Sequence, residues 1–343
     1  MLFRSIAEAG VNHNGRLDLA KKLVDQAVRA GADAVKFQAF KAERLASAIA
    51  PKAAYQKKTT GIKESQLEML QKLELSPERH AILKEYCRRK GILFLSSPFD
   101  EESADELDEI GVPLFKIPSG EITNLPFLSH IARKNKPVIL STGMSEMHEI
   151  QTAIRKIRSS GNESIALLHC ISNYPASPDD INLRAMETMR RKFKLPVGFS
   201  DHSEGIEIAL AAAALGAVII EKHFTLDRSM EGPDHRASLD PRGLSDLVSG
   251  IRRVERSLGS GIKKPALSES DTAKVARKSL IAACPIEAGT VLTKDMITLR
   301  RPGTGLPAEK IPILIGRKLK RSLAEGELFS LSLIAKKESL CGQ

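Results

Sequence analysis

Residues 5–38 read SIAEAGVNHNGRLDLAKKLVDQAVRAGADAVKFQ and contain one complete strand–helix–strand pattern. The β-prone run 5–8 leads into the segment 19–30, in which leucine and alanine recur at helical spacing with charged residues on the other faces. Gly31 is suited to end this helix, and a second β-prone run follows at 34–38. This pattern is the signal for a βα unit whose helix lies between two parallel strands.

The same pattern continues along the chain. Counting the first two, the β-prone runs are 5–8, 34–38, 92–96, 114–117, 138–141, 165–169, 197–200 and 218–221. Each is followed by a helix-like segment, and the usual size of a closed (β/α)8 barrel is about 250 residues. The sequence therefore predicts a TIM barrel occupying most of the 343 residues.

The composition changes after Leu258, where a stretch rich in Gly, Ser and Lys begins. We therefore predict three parts: a barrel domain at 1–258, a linker at 259–275 and a small β-rich domain at 276–343. Within the small domain, the phrase IEAGTVLTKDMI at 286–297 resembles LAEGELFSLSLI at 323–334, which predicts internal pseudo-symmetry.

Bulk composition excludes several classes of protein. The hydrophobic fraction is 42% and the charged fraction 27%, and no apolar run approaches the roughly 18 residues of a membrane helix. The net charge of +10 suits an anionic partner, but aromatic residues make up only 4%, so a small phosphorylated molecule is expected rather than nucleic acid. The four cysteines lie far apart and no signal peptide is evident, which predicts a cytoplasmic protein with reduced thiols.

Polar side chains stand at the carboxyl end of nearly every predicted strand, where barrels of this kind place their active sites. In chain order these residues are Glu8, Lys36, Gln38, Ser97, Lys116, Ser119, Glu121, Ser141, Thr142, Ser172, Tyr174, Ser200, Asp201, His202, Glu221 and His223. Any one of them is compatible with a purely structural role. Eight polar strand ends in succession favour a single site.

Two lysines, Lys36 and Lys116, together with the nearby serine hydroxyls are suited to bind a phosphate or carboxylate dianion. Taken alone, either lysine could equally be an ion-pair partner or a Schiff-base nucleophile. His202 and His223 end adjacent predicted strands, so both imidazoles could reach one divalent ion, although a buried histidine with only structural contacts is the common alternative. Glu8 is a candidate general base.

Several phrases of the sequence match a known family. They are IAEAGVNHNG at 6–15, VKFQ at 35–38, FKIPSGEITN at 115–124, LSTGM at 140–144, FSDH at 199–202, IEKHF at 220–224 and GPDH at 232–235. Through these phrases essentially the whole chain resembles the bacterial sialic acid synthases, which make N-acetylneuraminate, legionaminate and pseudaminate. The part from Ala276 onward resembles the antifreeze-like (SAF) domain of that family.

The resemblance implies condensation of phosphoenolpyruvate with an N-acylated mannosamine-type aldehyde and water, with phosphate released by C–O cleavage. His202 and His223 match the ligands of a divalent ion, Mn²⁺ first, with Mg²⁺ or Co²⁺ possible. Glu8 matches the general base, and Glu121 is the remaining residue assigned to catalysis. The expected substrate contacts are Lys36, Ser97, Lys116, Ser119, Ser141 and Ser200 for phosphoenolpyruvate, and Gln38, Tyr174 and Asp234 for the sugar.

Arg301 matches an arginine of the antifreeze-like domain that reaches into the barrel of the partner subunit, which implies a domain-swapped homodimer. The sugar expected from the resemblance is N-acetylmannosamine. The alternative is 2,4-diacetamido-2,4,6-trideoxymannose, the legionaminate precursor, and a more distant one is a carbohydrate-binding protein without catalysis. Contacts to the sugar's C4 and C6 substituents are expected from the loop at 50–62.

Overall fold

A computed structural model describes residues 5–60 and 64–335 of the chain. The chain separates into two compact units, and the division falls between Gly259 and Ser260. This division follows the change of composition after Leu258, where the helical pattern of the first unit ends and a Gly- and Ser-rich stretch begins.

The first unit contains eight parallel strands, as the sequence predicts. They are β1 (Ser5–Gly10), β2 (Ala34–Ala39), β3 (Leu93–Pro98), β4 (Phe115–Ile117), β5 (Val138–Ser141), β6 (Ile165–Cys170), β7 (Val197–Asp201) and β8 (Ile220–His223). Their order in the sheet is β3-β2-β1-β8-β7-β6-β5-β4. The two end strands, β3 and β4, lie against each other, which closes the ring of strands and confirms the barrel.

Helices follow the strands. In the first unit they are α1 (Leu17–Arg29), α2 (Ala42–Leu45), α3 (Ala54–Thr60), α4 (Gln66–Gln71), α5 (Pro77–Lys90), α6 (Glu101–Glu109), α7 (Leu125–Arg133), α8 (Met147–Ser159), α9 (Pro178–Ile181), α10 (Ala185–Phe193), α11 (Glu207–Ala214) and α12 (Pro241–Leu258). Local sequence sets their ends. Helix α5, for example, begins after Ser76, whose hydroxyl accepts the amide of Arg79, and ends at Gly91 with φ of +73°.

The last strand of the barrel differs from its predicted position. The β-branched run 218–221 predicts a strand, whereas β8 begins at Ile220 and continues through His223. The register explains the shift, because Ser5 of β1 pairs with Ile220 and Glu8 pairs with His223. Glu221, Lys222 and His223 therefore lie within β8 and do not follow it. Their side chains alternate between the interior and the outer face of the barrel.

The second unit contains β9 (Ser279–Ala282) and β10 (Ile297–Arg300), which pair in antiparallel register, and the short helix α14 (Ile311–Leu314). The predicted internal repeat is visible in its backbone. Ile286 and Leu323, the first residues of the two phrases, exchange hydrogen bonds of 2.9 and 2.8 Å. The fourth residues, Gly289 and Gly326, adopt φ of +83° and +81°. The two halves are therefore related by an approximate two-fold axis.

Part of the predicted linker 259–275 is helical. Helix α13 (Ser270–Ala276) lies there, and its end is bound to the second unit, because the amide of Gly303 donates to the Lys274 carbonyl. The side chain of Arg301 donates to the Ala276 carbonyl over 3.1 Å. The second unit thus includes residues before 276, which the polar composition of this stretch does not indicate.

Two further expectations concern the described residues. None of the helices in the two described ranges is long and apolar enough to cross a membrane. The cysteines Cys87, Cys170 and Cys284 are free thiols, of which the first two are buried. Cys341 lies outside the described residues.

Candidate active site

A layer of apolar side chains fills the barrel interior below the site. It consists of Ile6, Ala34, Leu95, Leu114, Ile139, Leu168 and Ile219, all less than a tenth exposed. Side chains in a strand alternate between its two faces, so the residues two positions further on also point into the barrel. Those residues are Glu8, Lys36, Ser97, Lys116, Ser141, Cys170 and Glu221. The polar layer is therefore held in place by the apolar layer beneath it.

This polar layer forms the floor of a cavity of about 420 Å³ at the carboxyl ends of the strands. Twelve of the fourteen residues predicted for the site line it, namely Glu8, Lys36, Gln38, Ser97, Lys116, Ser119, Ser141, Tyr174, Ser200, His202, His223 and Asp234. The structure therefore brings side chains from all eight strand ends into one cavity.

Two lysines and two carboxylates meet at the floor. Lys36 Nζ lies 2.8 Å from Glu8 Oε2 and 3.7 Å from Glu221 Oε2, and it donates to Ser97 Oγ over 3.0 Å. Lys116 Nζ donates to Ser141 Oγ over 2.8 Å and lies 3.5 Å from Glu221 Oε1. All four ionisable groups are buried. The longer contacts of Glu221 leave room for the lysines to bind another anion.

Burial and charge act differently on the two carboxylates. Burial raises the pKa of Glu8 to about 7, although the charge of Lys36 acts in the opposite direction. Burial also opposes ionisation of Glu221, but the charges of Lys116 and Lys36 outweigh it and lower the pKa of Glu221 to about 2. Glu221 is therefore a fixed negative charge, whereas Glu8 can take up or release a proton near neutral pH.

The pKa values of the two lysines are shifted in opposite directions. Burial opposes the charge on Lys36, but Glu221 and Glu8 outweigh burial, so the pKa of Lys36 is raised. Burial lowers the pKa of Lys116, which has no close carboxylate contact of the kind that Lys36 makes with Glu8. An incoming dianion would stabilise the charged form of Lys116 more than that of any other group in the floor.

His202 and His223 lie side by side at the rim of the floor, with their ring centroids 5.6 Å apart. The carbonyl of Ile171 lies 2.6 Å from His202 Nδ1, so this nitrogen carries the proton and Nε2 has a free electron pair. Burial lowers the pKa of His202 to about 4 and that of His223 well below its ordinary value. Both imidazoles are therefore neutral, which is the form that binds metal ions.

The two histidines fit a divalent ion in a second respect. His223 Nδ1 is buried and has no hydrogen-bond partner among the described residues. Within ranges 5–60 and 64–335, no group of three or more His, Cys, Asp or Glu side chains has the arrangement of a metal site. An ion held here would have these two protein ligands and open positions for water and substrate.

The rings of Tyr55, Tyr174 and His202 form a column in the cavity. The Tyr174 ring lies 4.1 Å from the His202 ring and 5.1 Å from the Tyr55 ring, measured between centroids. Asp234 Oδ2 lies 4.0 Å from His223 Nδ1, and burial raises the pKa of Asp234 to about 6. Gln38 completes this side of the cavity through a long contact of 3.4 Å from its Nε2 to Glu8 Oε1.

Two predicted site residues are not part of the cavity lining. Glu121 ends a 3-10 turn beginning at Ser119, and its carboxylate accepts the Asn124 side-chain amide over 2.8 Å. Arg301 is an exposed residue of the second unit, and its guanidinium donates to a backbone carbonyl of that unit. Glu121 does not line the floor, and Arg301 belongs to the second unit, so the roles assigned to both stay predictions.

Some residues that line the cavity have no role predicted from the sequence. Glu221 is the central acceptor of the floor. The sequence indicates its position, because Glu221 precedes His223 by two residues in the same strand and both side chains therefore point to the same face. Tyr55 on α3 also lines the cavity, as do Met69 and Leu70 on α4. These residues are distant in sequence from the strand ends, and no local pattern connects them with the site.

Comparisons with known proteins identify the family of the chain. The NeuB family model matches residues 23–263 and the SAF domain model matches residues 277–335. The chain is 50% identical over 325 residues to the N,N'-diacetyllegionaminic acid synthase of Campylobacter jejuni, covering 94% of this chain and 97% of that relative. The same-named protein of Legionella pneumophila is 48% identical, over 94% of this chain and 91% of its own.

More distant relatives carry a different name. The human N-acetylneuraminate-9-phosphate synthase is 37% identical, over 96% of this chain and 92% of its own. A solved structure of the N-acetylneuraminic acid synthetase of Leptospira borgpetersenii superposes with a TM-score of 0.71 at 38% identity, covering 79% of this chain and 90% of that one. The chain is therefore an enzyme of the NeuB family, the family of sialic and legionaminic acid synthases, with a TIM barrel followed by an SAF domain.

Proposed function

We propose that the protein condenses phosphoenolpyruvate with an N-acylated 2-amino sugar aldehyde and water, giving a nine-carbon 2-keto sugar acid and phosphate. The observation that carries this proposal is the charge arrangement of the floor. Two buried lysines face a carboxylate that stays ionised and another that titrates near neutral pH. Such a floor is suited to bind a dianion and to move one proton.

Phosphoenolpyruvate would bind through Lys36 and Lys116, with hydroxyl donors from Ser97, Ser119, Ser141 and Ser200. The lysines supply charge and the hydroxyls supply directed hydrogen bonds. Ser119 Oγ lies 2.8 Å from Ser172 Oγ, which holds the hydroxyl at the edge of the cavity. Ser200 Oγ donates to Glu221 Oε1 over 2.9 Å and can exchange this partner for a ligand oxygen.

The reaction balances with one proton moved within the site. C3 of phosphoenolpyruvate uses the electron pair of its double bond to form a C–C bond with the aldehyde carbon. Water adds to C2 and gives a proton to Glu8, and Glu8 passes this proton on to the former aldehyde oxygen, so that Glu8 returns to its starting state. The C2–O bond to phosphate then breaks, the new hydroxyl becomes the keto group, and its proton leaves with the phosphate. Glu8 is suited to this role because its pKa is raised to about 7.

A divalent ion, Mn²⁺ in the first place, would be held by His202 and His223. When bound, it supplies a positive charge that polarises the sugar aldehyde. We expect the His223→Ala variant to lose Mn²⁺ affinity at least tenfold in a direct binding titration, together with metal-dependent turnover. Turnover that survives in this variant would contradict the metal assignment.

We propose 2,4-diacetamido-2,4,6-trideoxymannose as the sugar, with N-acetylmannosamine as the second candidate. The support is that the two legionaminic acid synthases share 50% and 48% identity with this chain, whereas the human N-acetylneuraminate-9-phosphate synthase shares 37%. The test is phosphate release from phosphoenolpyruvate and Mn²⁺ with each sugar. Faster phosphate release with N-acetylmannosamine would make that sugar the first candidate. The absence of phosphate release with both sugars would contradict the proposed function.

Arg301 would act from the SAF domain of a partner subunit in a domain-swapped homodimer, where it would contact the acylamino group of the sugar. The support is its resemblance to the family's arginine and its exposed guanidinium. We expect Arg301→Ala to raise the KM of the sugar about tenfold or more and to leave the KM of phosphoenolpyruvate within twofold. Equal losses for both substrates would count against this role.

A further inference from the structure

The cavity has two chemically distinct parts. The floor is lined by the lysines, carboxylates and serines described above. A second part of the lining is apolar and comes from the loop after β1, from the segment between β2 and β3 and from the residue that follows β3. Its members are Val11, Leu45, Met69, Leu70, Leu73 and Phe99, which we call the apolar wall. Val11, Met69, Leu70 and Leu73 are each less than a tenth exposed and belong to one hydrophobic cluster.

The apolar wall is held in a defined position. Lys52 Nζ is buried and donates to Thr60 Oγ1 over 2.9 Å and to Glu64 Oε1 over 3.2 Å, which connects the end of α3 to the start of the next segment. Thr60 Oγ1 also lies 3.7 Å from Met69 Sδ. Helix α4 begins with a reciprocal capping box between Ser65 and Glu68. Because of these contacts, the wall is a preorganised surface of the cavity.

Helix α3 connects the wall to the side of the cavity where the sugar is expected. The ring of Tyr55 on α3 packs on Tyr174, and Thr59 Oγ1 donates to the Pro233 carbonyl over 3.3 Å, next to Asp234. Tyr174 and Asp234 are two of the three residues expected to contact the sugar. A sugar whose aldehyde end lies at the histidines therefore extends its far end toward α3 and the apolar wall.

The apolar wall restricts the chemical groups that can lie at the far end of the sugar. Its side chains offer no hydrogen bonds, so a hydroxyl placed against them gives up its bonds with water without replacement. A methyl group gains from the same contact. Gln56 and Gln66 also line this cavity, and their amide groups can pair with an acylamino group. We propose that the apolar wall is the specificity subsite for C4–C6 of the sugar and selects a 6-deoxy sugar over one with a 6-hydroxyl.

This inference rests on the proposed function, and it is tested with N-acetylmannosamine and its 6-deoxy analogue, which differ by one oxygen atom. The full-length protein is assayed for phosphate release with phosphoenolpyruvate and Mn²⁺. We expect kcat/KM for the 6-deoxy sugar to be about 10- to 100-fold higher, the range that a hydrophobic pocket achieves against an added hydroxyl. Equal values, or a preference for the 6-hydroxyl, would overturn the inference while leaving the proposed function intact.

Variants locate the preference in the wall. Met69→Gln keeps the chain length and adds an amide, and Val11→Thr is close to isosteric and adds a hydroxyl. In either variant we expect the preference for the 6-deoxy sugar to fall at least fivefold, with the KM of phosphoenolpyruvate within twofold of its normal value. Ile49→Gln is the control, because Ile49 is 91% exposed and does not line the cavity.

The outcomes separate the two proposals. A preference that is undiminished in Val11→Thr and Met69→Gln would overturn the assignment of the wall, and so would an equal effect of Ile49→Gln. Val11→Thr keeps the test open if the Met69 variant does not fold. Failure of every sugar to release phosphate with the unmodified protein would instead overturn the proposed function itself.

Discussion

The inner and outer faces of β7 and β8 carry ionic groups in two different arrangements. On the inner face, Glu221 Oε2 is buried without a hydrogen-bond partner among the described residues and lies 3.7 Å from Lys36 Nζ. On the outer face, Asp201 Oδ2 accepts Lys222 Nζ over 2.7 Å. Both faces are buried, and alternate residues of the same two strands supply them.

The outer pair is saturated with hydrogen bonds. Asp201 Oδ1 accepts both the amide and the hydroxyl of Ser203, over 2.9 and 2.6 Å, and Lys222 Nζ also donates to the Ser203 carbonyl. On the inner face, Glu221 lies 3.5 and 3.7 Å from the two lysines and faces a cavity. A buried charge whose hydrogen bonds are all made within the protein therefore stabilises the fold, whereas a buried charge that lacks a hydrogen-bond partner is available to a ligand.

The largest effect on function is expected on the inner face. Lys116→Met should lower kcat/KM for phosphate release about 10³-fold, because it removes a charge directed at the dianion. The free energy of unfolding should change by less than about 1 kcal/mol, because Glu221 keeps the charge of Lys36 at 3.7 Å and the hydrogen bond from Ser200 when Lys116 is removed. Urea denaturation beside the kinetic assay measures both quantities. A loss of several kcal/mol in the free energy of unfolding would show that the inner ionic groups stabilise the fold as the outer pair does, which contradicts the comparison.

The reverse is expected on the outer face. Lys222→Met leaves the Asp201 carboxylate buried without its cation, which should cost about 3–5 kcal/mol of unfolding free energy. Turnover per folded molecule should stay within tenfold of normal. The double variant Asp201→Asn, Lys222→Met is the matched control and should recover most of the lost stability, because no unpaired charge remains. If the double variant does not regain stability, the pair contributes more to the fold than the mutual neutralisation of its two charges.

A smaller effect is expected from moving the two strands apart. A Cβ on Gly198 of β7 would lie 2.5 Å from the Ile219 carbonyl oxygen and 2.9 Å from Ile219 Cβ. Gly198→Ala should therefore cost about 1–3 kcal/mol of unfolding free energy. Gly120→Ala serves as the control for stability, because its Cβ would meet no atom within 4 Å. If both variants have the same unfolding midpoint in urea, close strand packing at Gly198 is not required.

The smallest effect is expected from an ion pair that is exposed. Arg321 Nη2 lies 2.6 Å from Glu327 Oε1 in the second unit, and the two side chains are 56% and 37% exposed. Solvent screens such a pair, so Arg321→Ala should change the free energy of unfolding by no more than about 0.5 kcal/mol. Denaturation at low and high salt measures it. A loss comparable to that of Lys222→Met would show that burial is not what separates these pairs.

The fold and the floor of the site could be predicted because both depend on local patterns. Alternation within each strand places Lys36, Lys116 and Ser200 on the inside, and the closed barrel then brings them together. The same rule separates Asp201 from His202, the predicted metal ligand that directly follows it in the sequence, because the two side chains point to opposite faces. Asp201 is therefore a structural residue of the outer face.

The rest could not be predicted, because it depends on contacts between distant segments. Tyr55 lies on α3, which contacts the loop at Pro233, and the wall residue Met69 lies on α4 and packs in one cluster with Val11 of the loop after β1. The segment 50–62 was expected to contact the far end of the sugar, and its described part supplies Ala53, Tyr55 and Gln56 to the cavity lining. Residues 61–63 lie outside the described residues.

The column of rings at the site has a practical consequence for spectroscopy. The chain has three tyrosines and no tryptophan, so tyrosine dominates its intrinsic emission. Two of the three, Tyr55 and Tyr174, line the cavity, and the third, Tyr86, is hydrogen-bonded to Asp25 elsewhere on the barrel. Intrinsic fluorescence is therefore largely a signal from the active site, and occupancy of the cavity can be followed without any attached dye.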